Sequence, residues 1–166
     1  MSVRILLVCK KGSARQKYLD ASKKLGARVD VVSSFKELFK VIVGMPYNGL
    51  MIDMLTKIRS HSDEKGRAQN IFEHYPVIQL TFDMKSGQIR TLYIGKVKGS
   101  GTLDNFITQQ CCSFSARIIR SNLRRDINFN VILSKSKNVS SGDYEKTVIM
   151  NIDLGGCFIF SSSNWE

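Results

Sequence analysis

No stretch of this chain approaches the ~18 consecutive apolar residues needed to cross a bilayer as a helix, which argues against a membrane span. The opening run VRILLV fits a first strand better than a secretory segment, since neither a long apolar region nor a small-residue cleavage site follows it. Four cysteines, Cys9, Cys111, Cys112 and Cys157, follow neither a paired zinc spacing nor a disulfide framework. Their thiols are expected to stay reduced, in the cytoplasm. The two histidines, His61 and His74, have no Cys or Asp pattern around them, so no metal site is expected. The spacing GxxxxGK is missing, as is any Ser-His-Asp or Cys-His arrangement. No catalytic role and no cofactor are expected.

Acidic residues are also scarce: 14 against 25 Lys and Arg, a net charge of +11. Residues 1–112 carry 18 basic and 9 acidic side chains, and residues 113–166 carry 7 and 5, so the excess is N-terminal. Such a balance suits nucleic acid, an anionic membrane face or an acidic partner. The lysines are scattered, however, and few aromatics interleave with them. Without a helix-turn-helix signature or finger spacing, nucleic acid is disfavoured. Most of the charge is expected to be solvated surface. KGSAR (11–15) could hold an anion at a helix start through Ser13, Arg15 and free backbone N–H groups. One local concentration stands out: RIIRSNLRR (117–125) holds four arginines in nine residues.

The 166 residues suffice for one good core, or one small domain and part of another. VRILLV (3–8), ARVDVV (27–32), NGLMIDM (48–54) and PVIQLTF (76–82) read as strands. Between them SARQKYLDASKKLG (13–26) has helical periodicity, with Gly26 as a stop, and SSFKELFKVIVG (33–44) has Ser33 or Ser34 as cap and Glu37 in its first turns. A polar stretch over about 56–74 predicts one helix, broken near Gly66. This alternation predicts a parallel sheet with helices on both faces. Residues 84–99 then show strand-like alternation, and 101–119 read as a helix capped by Thr102. Two apolar segments, 127–133 and 146–162, predict antiparallel strands joined by a polar loop. Residues 1–112 are therefore expected as an α/β domain and 113–166 as a β domain.

The first 82 residues resemble a response-regulator receiver domain. Asp53, ending the third strand in NGLMIDM, takes the phosphoacceptor place, and Thr81 takes that of the hydroxyl residue ending the fourth. Where a receiver carries an acidic pair after its first strand, this chain has Cys9 and Lys10. A divalent cation needs several oxygen ligands, so phosphotransfer to Asp53 is not expected and the domain reads as a degenerate, receiver-like scaffold.

The C-terminal third resembles the start of a PilZ domain, the small antiparallel β-barrel that binds cyclic di-GMP. Arg120 and Arg124 match the R-x-x-x-R motif that precedes its first strand. NIDLGG matches D/N-x-S-x-x-G through Asn151, Asp153 in the serine place, and Gly156. The resemblance implies a ligand site made by Arg120, Arg124, Asn151, Asp153 and Gly156. The chemistry suits such a ligand, because a guanidinium fork pairs with phosphate oxygens and with the guanine O6/N7 edge. A carboxylate at Asp153 accepts hydrogen bonds but donates none, and it repels phosphate. The same residues also read as a solvated basic linker and an ordinary β-turn. From Arg117 to Glu166 there are 50 residues, fewer than a whole barrel needs. Either the barrel is cut short or a partner chain completes it, and truncation is the expectation.

These readings converge on a non-catalytic cyclic di-GMP sensor or effector, with a protein partner or a homodimer formed through the N-terminal domain. The alternative is a protein-interaction module whose ligand site has decayed.

Overall fold

The strand runs buried on both faces are the apolar ones: β1 (Arg4–Val8) and β3 (Gly49–Asp53) expose almost nothing. The computed structural model describes residues 3–95, 99–119, 125–135, 144–153 and 156–163. The chain divides into two units, Met1–Ile119 and Arg120–Glu166.

In the first unit, β1 is flanked in parallel by β2 (Arg28–Val32) and β3, and β4 (Pro76–Phe82) lies parallel to β3. The fifth strand, β5 (Ile89–Gly95), runs antiparallel to β4, giving the order β2-β1-β3-β4-β5. The hairpin is closed by its turn: Asp83 N–H donates to the Gln88 carbonyl, Gly87 N–H to the Asp83 carbonyl, and Lys85 N–H to Asp83 Oδ1. Gly87 supplies the positive φ of 68° that the turn requires.

Helices cover both faces of this sheet. On one, α1 (Ser13–Lys24) sets Tyr18 among Ile5, Leu7, Met51, Ile78 and Leu80. On the other, α2 (Phe35–Val41) and α4 (Ser62–Phe72) place Phe35, Leu38, Ala68 and Phe72 against Leu6, Val8, Leu50, Ile52 and Val77. The Phe35 and Phe72 rings meet edge-on with centroids 6.1 Å apart. Ser34 caps α2 by accepting from Glu37 N–H, while Ser33 N–H donates back to the Glu37 carboxylate.

Two sequence expectations change in this unit, and in the second unit the one strand expected over 146–162 is two, Tyr144–Asp153 and Gly156–Phe160, because the chain doubles back between them. The single helix over 56–74 is two, α3 (Met54–Ile58) and α4, and the break falls at 59–61 rather than at Gly66. Asp53 caps α3 from the strand end, and Asp63 and Glu64 favour a new helix start just after His61. Gly66 sits inside α4 in open space.

The helix over 101–119 is also shorter. Thr102 caps α5 (Leu103–Asn105) by accepting from Asn105 N–H, and α5 continues as a π-helical stretch, Phe106–Cys111. The wider turn lets Phe106 and Cys111, five apart, both reach the sheet at Gly49. A Cβ at Gly49 would lie 2.5 Å from Cys111 Sγ and 3.2 Å from Phe106 Cζ. Residues 114–119 form a strap instead of a helix. Tyr47 and Arg117 exchange backbone hydrogen bonds, Tyr75 Oη donates to the Arg117 carbonyl at 2.7 Å, and Ile119 N–H reaches the Ile42 carbonyl.

The second unit is a three-stranded antiparallel sheet, β6 (Arg125–Ser134), β7 (Tyr144–Asp153) and β8 (Gly156–Phe160), in the order β6-β7-β8. None of its described residues is fully buried.

Candidate functional site

The register of the second sheet decides which of the sequence-predicted site residues meet. Arg125 pairs with Ile152 and Asp126 with Asn151 across β6 and β7, while Asn151 faces Phe158 and Asp153 faces Gly156 across β7 and β8. The first residues of β6, the last of β7 and the first of β8 therefore lie at one end of the sheet. Asn151, Asp153 and Gly156 are brought together there, at the end of the hairpin where β7 passes into β8. Arg120 and Arg124 lie outside the described residues; by chain connection Arg124 immediately precedes β6.

Gly156 has φ 151°, and a Cβ built on it would touch nothing. The glycine is thus required by the backbone and leaves open space beside it. Asn151 is half-buried. Two irregularities adjoin it, between Asp126 and Phe129 on β6 and between Ile149 and Asn151 on β7. Such bulges bend a strand and re-aim the side chains beyond them. Strict alternation in the sequence concealed them.

A second group of polar side chains gathers at the carboxyl ends of β1, β3 and β4. This is where the strand order reverses between β1 and β3, the place at which open α/β sheets bind ligands. Asp53 is buried, and Oδ2 accepts from Thr56 N–H and Thr56 Oγ1, both at 2.8 Å. Its Oδ1 accepts from Tyr18 Oη at 3.2 Å. Thr56 Oγ1 also receives Lys10 N–H at 3.1 Å, tying the β1–α1 loop to α3. The Cys9 thiol is pushed up to about 11, chiefly by burial and then by the negative charge of Asp53. Burial and Asp53 likewise raise the Tyr18 phenol. Both stay protonated at neutral pH.

Arg15 donates to the Cys9 carbonyl and, at 3.1 Å, to Ser33 Oγ, so it braces the loop after β1 against β2. Thr81 Oγ1 contacts Met54 Sδ at 3.3 Å. The geometry spends Asp53 on capping α3. Sequence reading missed this role, although the spacing Asp-x-x-Thr in DMLT is itself an N-cap signal. Among the described residues, no group of three or more His, Cys, Asp or Glu could hold a metal ion, and no helix is long and apolar enough to cross a membrane.

Comparison with protein-family models, with curated proteins and with solved structures gave no match.

Proposed function

We propose that this chain is a non-catalytic cyclic di-GMP effector of the cytoplasm, in which a receiver-like scaffold carries the first strands of a PilZ-type barrel. The observation that supports it best is the pairing of Asp126 with Asn151. That register sets β6, the strand that follows R-x-x-x-R in the chain, beside the end of β7 that carries Asn151 and Asp153. The order β2-β1-β3-β4-β5 is that of flavodoxin-like sheets and supports the receiver-like reading of the first unit. The antiparallel β5 departs from it.

In this reading Arg120 and Arg124 clasp the ligand's phosphates and guanine edges. Asn151 hydrogen-bonds a base or phosphate, and the glycines let a flat base approach the backbone. Arg124 abuts the anchored strand and loses less entropy on binding than Arg120. Titration of the whole chain with cyclic di-GMP tests the assignment. Arg124→Ala should cost roughly 2–4 kcal/mol, about 30- to 1000-fold in affinity, and at least as much as Arg120→Ala. Arg125→Ala should cost less than about 1 kcal/mol. Equal small losses in all three, or no binding by the unaltered chain, would reject the clasp.

One observation favours the second reading, an interaction module with a decayed ligand site. Asp126, paired with Asn151, brings a second acidic residue to the end of the sheet where β7 closes on Asp153, and acids at a phosphate site oppose binding. Asp126→Asn together with Asp153→Ser should raise affinity if the site is weakened, and leave it at zero if the site is lost.

A further inference from the structure

Strand β3 is buried over its whole length, yet the helix that follows it turns its apolar residues outward. Met54 is 37 % exposed, Leu55 54 % and Ile58 55 %, while polar Thr56 is 2 % exposed beneath them. The inversion follows from Asp53. Its carboxylate takes Thr56 N–H and Oγ1, which rotates the threonine inward and presents the other face of α3 to solvent. Met84, in the β4–β5 turn, is 81 % exposed.

Hydrogen bonds bring neighbouring segments to this helix. Lys10 N–H donates to Thr56 Oγ1, Lys65 Nζ to the Ile58 carbonyl at 2.9 Å, Lys57 Nζ to Gln79 Oε1 at 3.2 Å, and Thr81 Oγ1 to Met54 Sδ. The rim is basic. Lys10, Lys11, Arg59 and Lys85 are exposed, and Lys57 and Lys65 are half-buried. The Lys57 ammonium is held below its usual range by desolvation and by the charge of Lys65. Asp53 is buried, and Asp83 is engaged by Arg90 at 3.3 Å and by Lys85 N–H. Asp63 and Glu64, in the first turn of α4, are the acids left on this side.

We propose that the α3 edge of the first unit, with Met54, Leu55 and Ile58 at its centre, Met84 on the β4–β5 turn that follows Thr81, and lysines around it, docks an acidic amphipathic helical segment of a protein partner. Two flexible methionine side chains suit a helix face laid across them, and the basic rim complements acidic flanks on that helix. An anionic membrane fits less well. Met54–Ser60 and Asp83–Gln88 contain no aromatic residue, and such surfaces insert Trp, Phe or Leu from a longer amphipathic helix. Nucleic acid would leave the apolar centre unused. The inference stands whether or not cyclic di-GMP binds.

The test is NMR titration of the whole chain, following the methyl signals of Met54 and Met84. The probe is a synthetic helical peptide with leucines at i, i+3, i+4 and i+7 and glutamates elsewhere. Shifts centred on Met54, Met84 and the Lys10–Lys11 amides are expected, with at least tenfold weaker binding in Leu55→Asp/Ile58→Asp. Lys23→Gln/Lys24→Gln, which lowers the net charge by the same two units at the far end of α1, should bind unchanged. Circular dichroism of each variant checks that the fold is kept; if Leu55→Asp/Ile58→Asp unfolds, Leu55→Ser/Ile58→Ser serves in its place. Absence of shifts up to millimolar peptide, or equal binding of a scrambled peptide with the same charge, would overturn the proposal. So would binding to phosphatidylglycerol vesicles lost in the same variants, which would assign the edge to a membrane.

Discussion

The two sheets of this protein start from similar apolar content and reach opposite states. In the first, Ile5, Leu6, Leu7, Leu50, Met51 and Ile78 are wholly buried, because helices cover both faces. In the second, Phe129 is 63 % exposed, Phe158 52 % and Phe160 64 %. A strand sequence sets which face is apolar, but a second layer must be present before that face stabilises anything. At about 25 cal/mol per Å² of apolar surface removed from water, only the first sheet collects the full return of its side chains.

The contrast is broken most directly in the cores. Leu50→Ala should lower the stability of the first unit by about 2–5 kcal/mol, whereas Phe129→Ala should change the second by less than about 1 kcal/mol. Urea unfolding followed by hydrogen exchange at separate sites would read both. A comparable loss at Phe129 would mean that its sheet is covered in solution. Next in size is Gly49→Ala, whose new methyl would press on Cys111 Sγ and Phe106; the expected cost is about 1–3 kcal/mol. Cys111→Ala in the same chain should recover part of it, measured as a shift of the thermal midpoint.

Asp53→Ala removes the cap of α3 and should cost about 1–2 kcal/mol, with Asp53→Asn costing less because its amide oxygen still accepts from Thr56.

A smaller effect, confined to the second sheet, depends on pH. Glu145 Oε2 accepts from Ser161 Oγ at 2.7 Å, and Oε1 from Ser162 N–H at 2.8 Å and Ser162 Oγ at 3.0 Å. These bonds hold its carboxyl at about 2, down from 4.5. Because the folded value is depressed, the contribution is complete above about 4.5 and fades as pH falls towards 2. Amide exchange in β7 and β8 should quicken over that window, and Glu145→Gln should remove the dependence. Smallest of all, and without effect on stability, is the pattern of thiol labelling. Cys112 and Cys157 are exposed and should react with iodoacetamide in the folded chain, while the buried Cys9 and Cys111 should react only on unfolding.

Most of the first unit was legible because its local signals agreed. Continuous apolar runs marked β1, β3 and β4, the serine before α2 and the glutamate in its first turn marked its start, and Gly26, at φ 75°, marked the end of α1. The misses share a cause: long-range contact overrode local pattern. The strap over 114–119 looks helical until Tyr47 and Tyr75 claim the Arg117 backbone. The π-helical widening answers a glycine more than fifty residues away in sequence. The outward face of α3 was hidden because Thr56 sits among apolar neighbours and only the bond to Asp53 turns it in. In the second unit the strand after the arginines could be read, but the segment 146–162 taken as one strand is two, β7 and β8, and the bulges beside Asn151 left no local mark. A bulge is a mismatch between two strands, and neither sequence carries it alone.

The antiparallel turn at Asp83–Gln88 has a consequence for how the chain folds. Each parallel pair in the first sheet joins segments separated by a helix, so its formation must wait for a long loop to close. The β4–β5 pair needs only a short turn, already held by three hydrogen bonds, and hairpins of this kind close in about 1–10 μs. Since β4 is also the partner of β3, a preformed hairpin would offer a wide, ready edge to the slower parallel strands, and lower the mean sequence separation that limits the folding rate. Lengthening that turn with inserted glycines should therefore slow refolding more than it speeds unfolding.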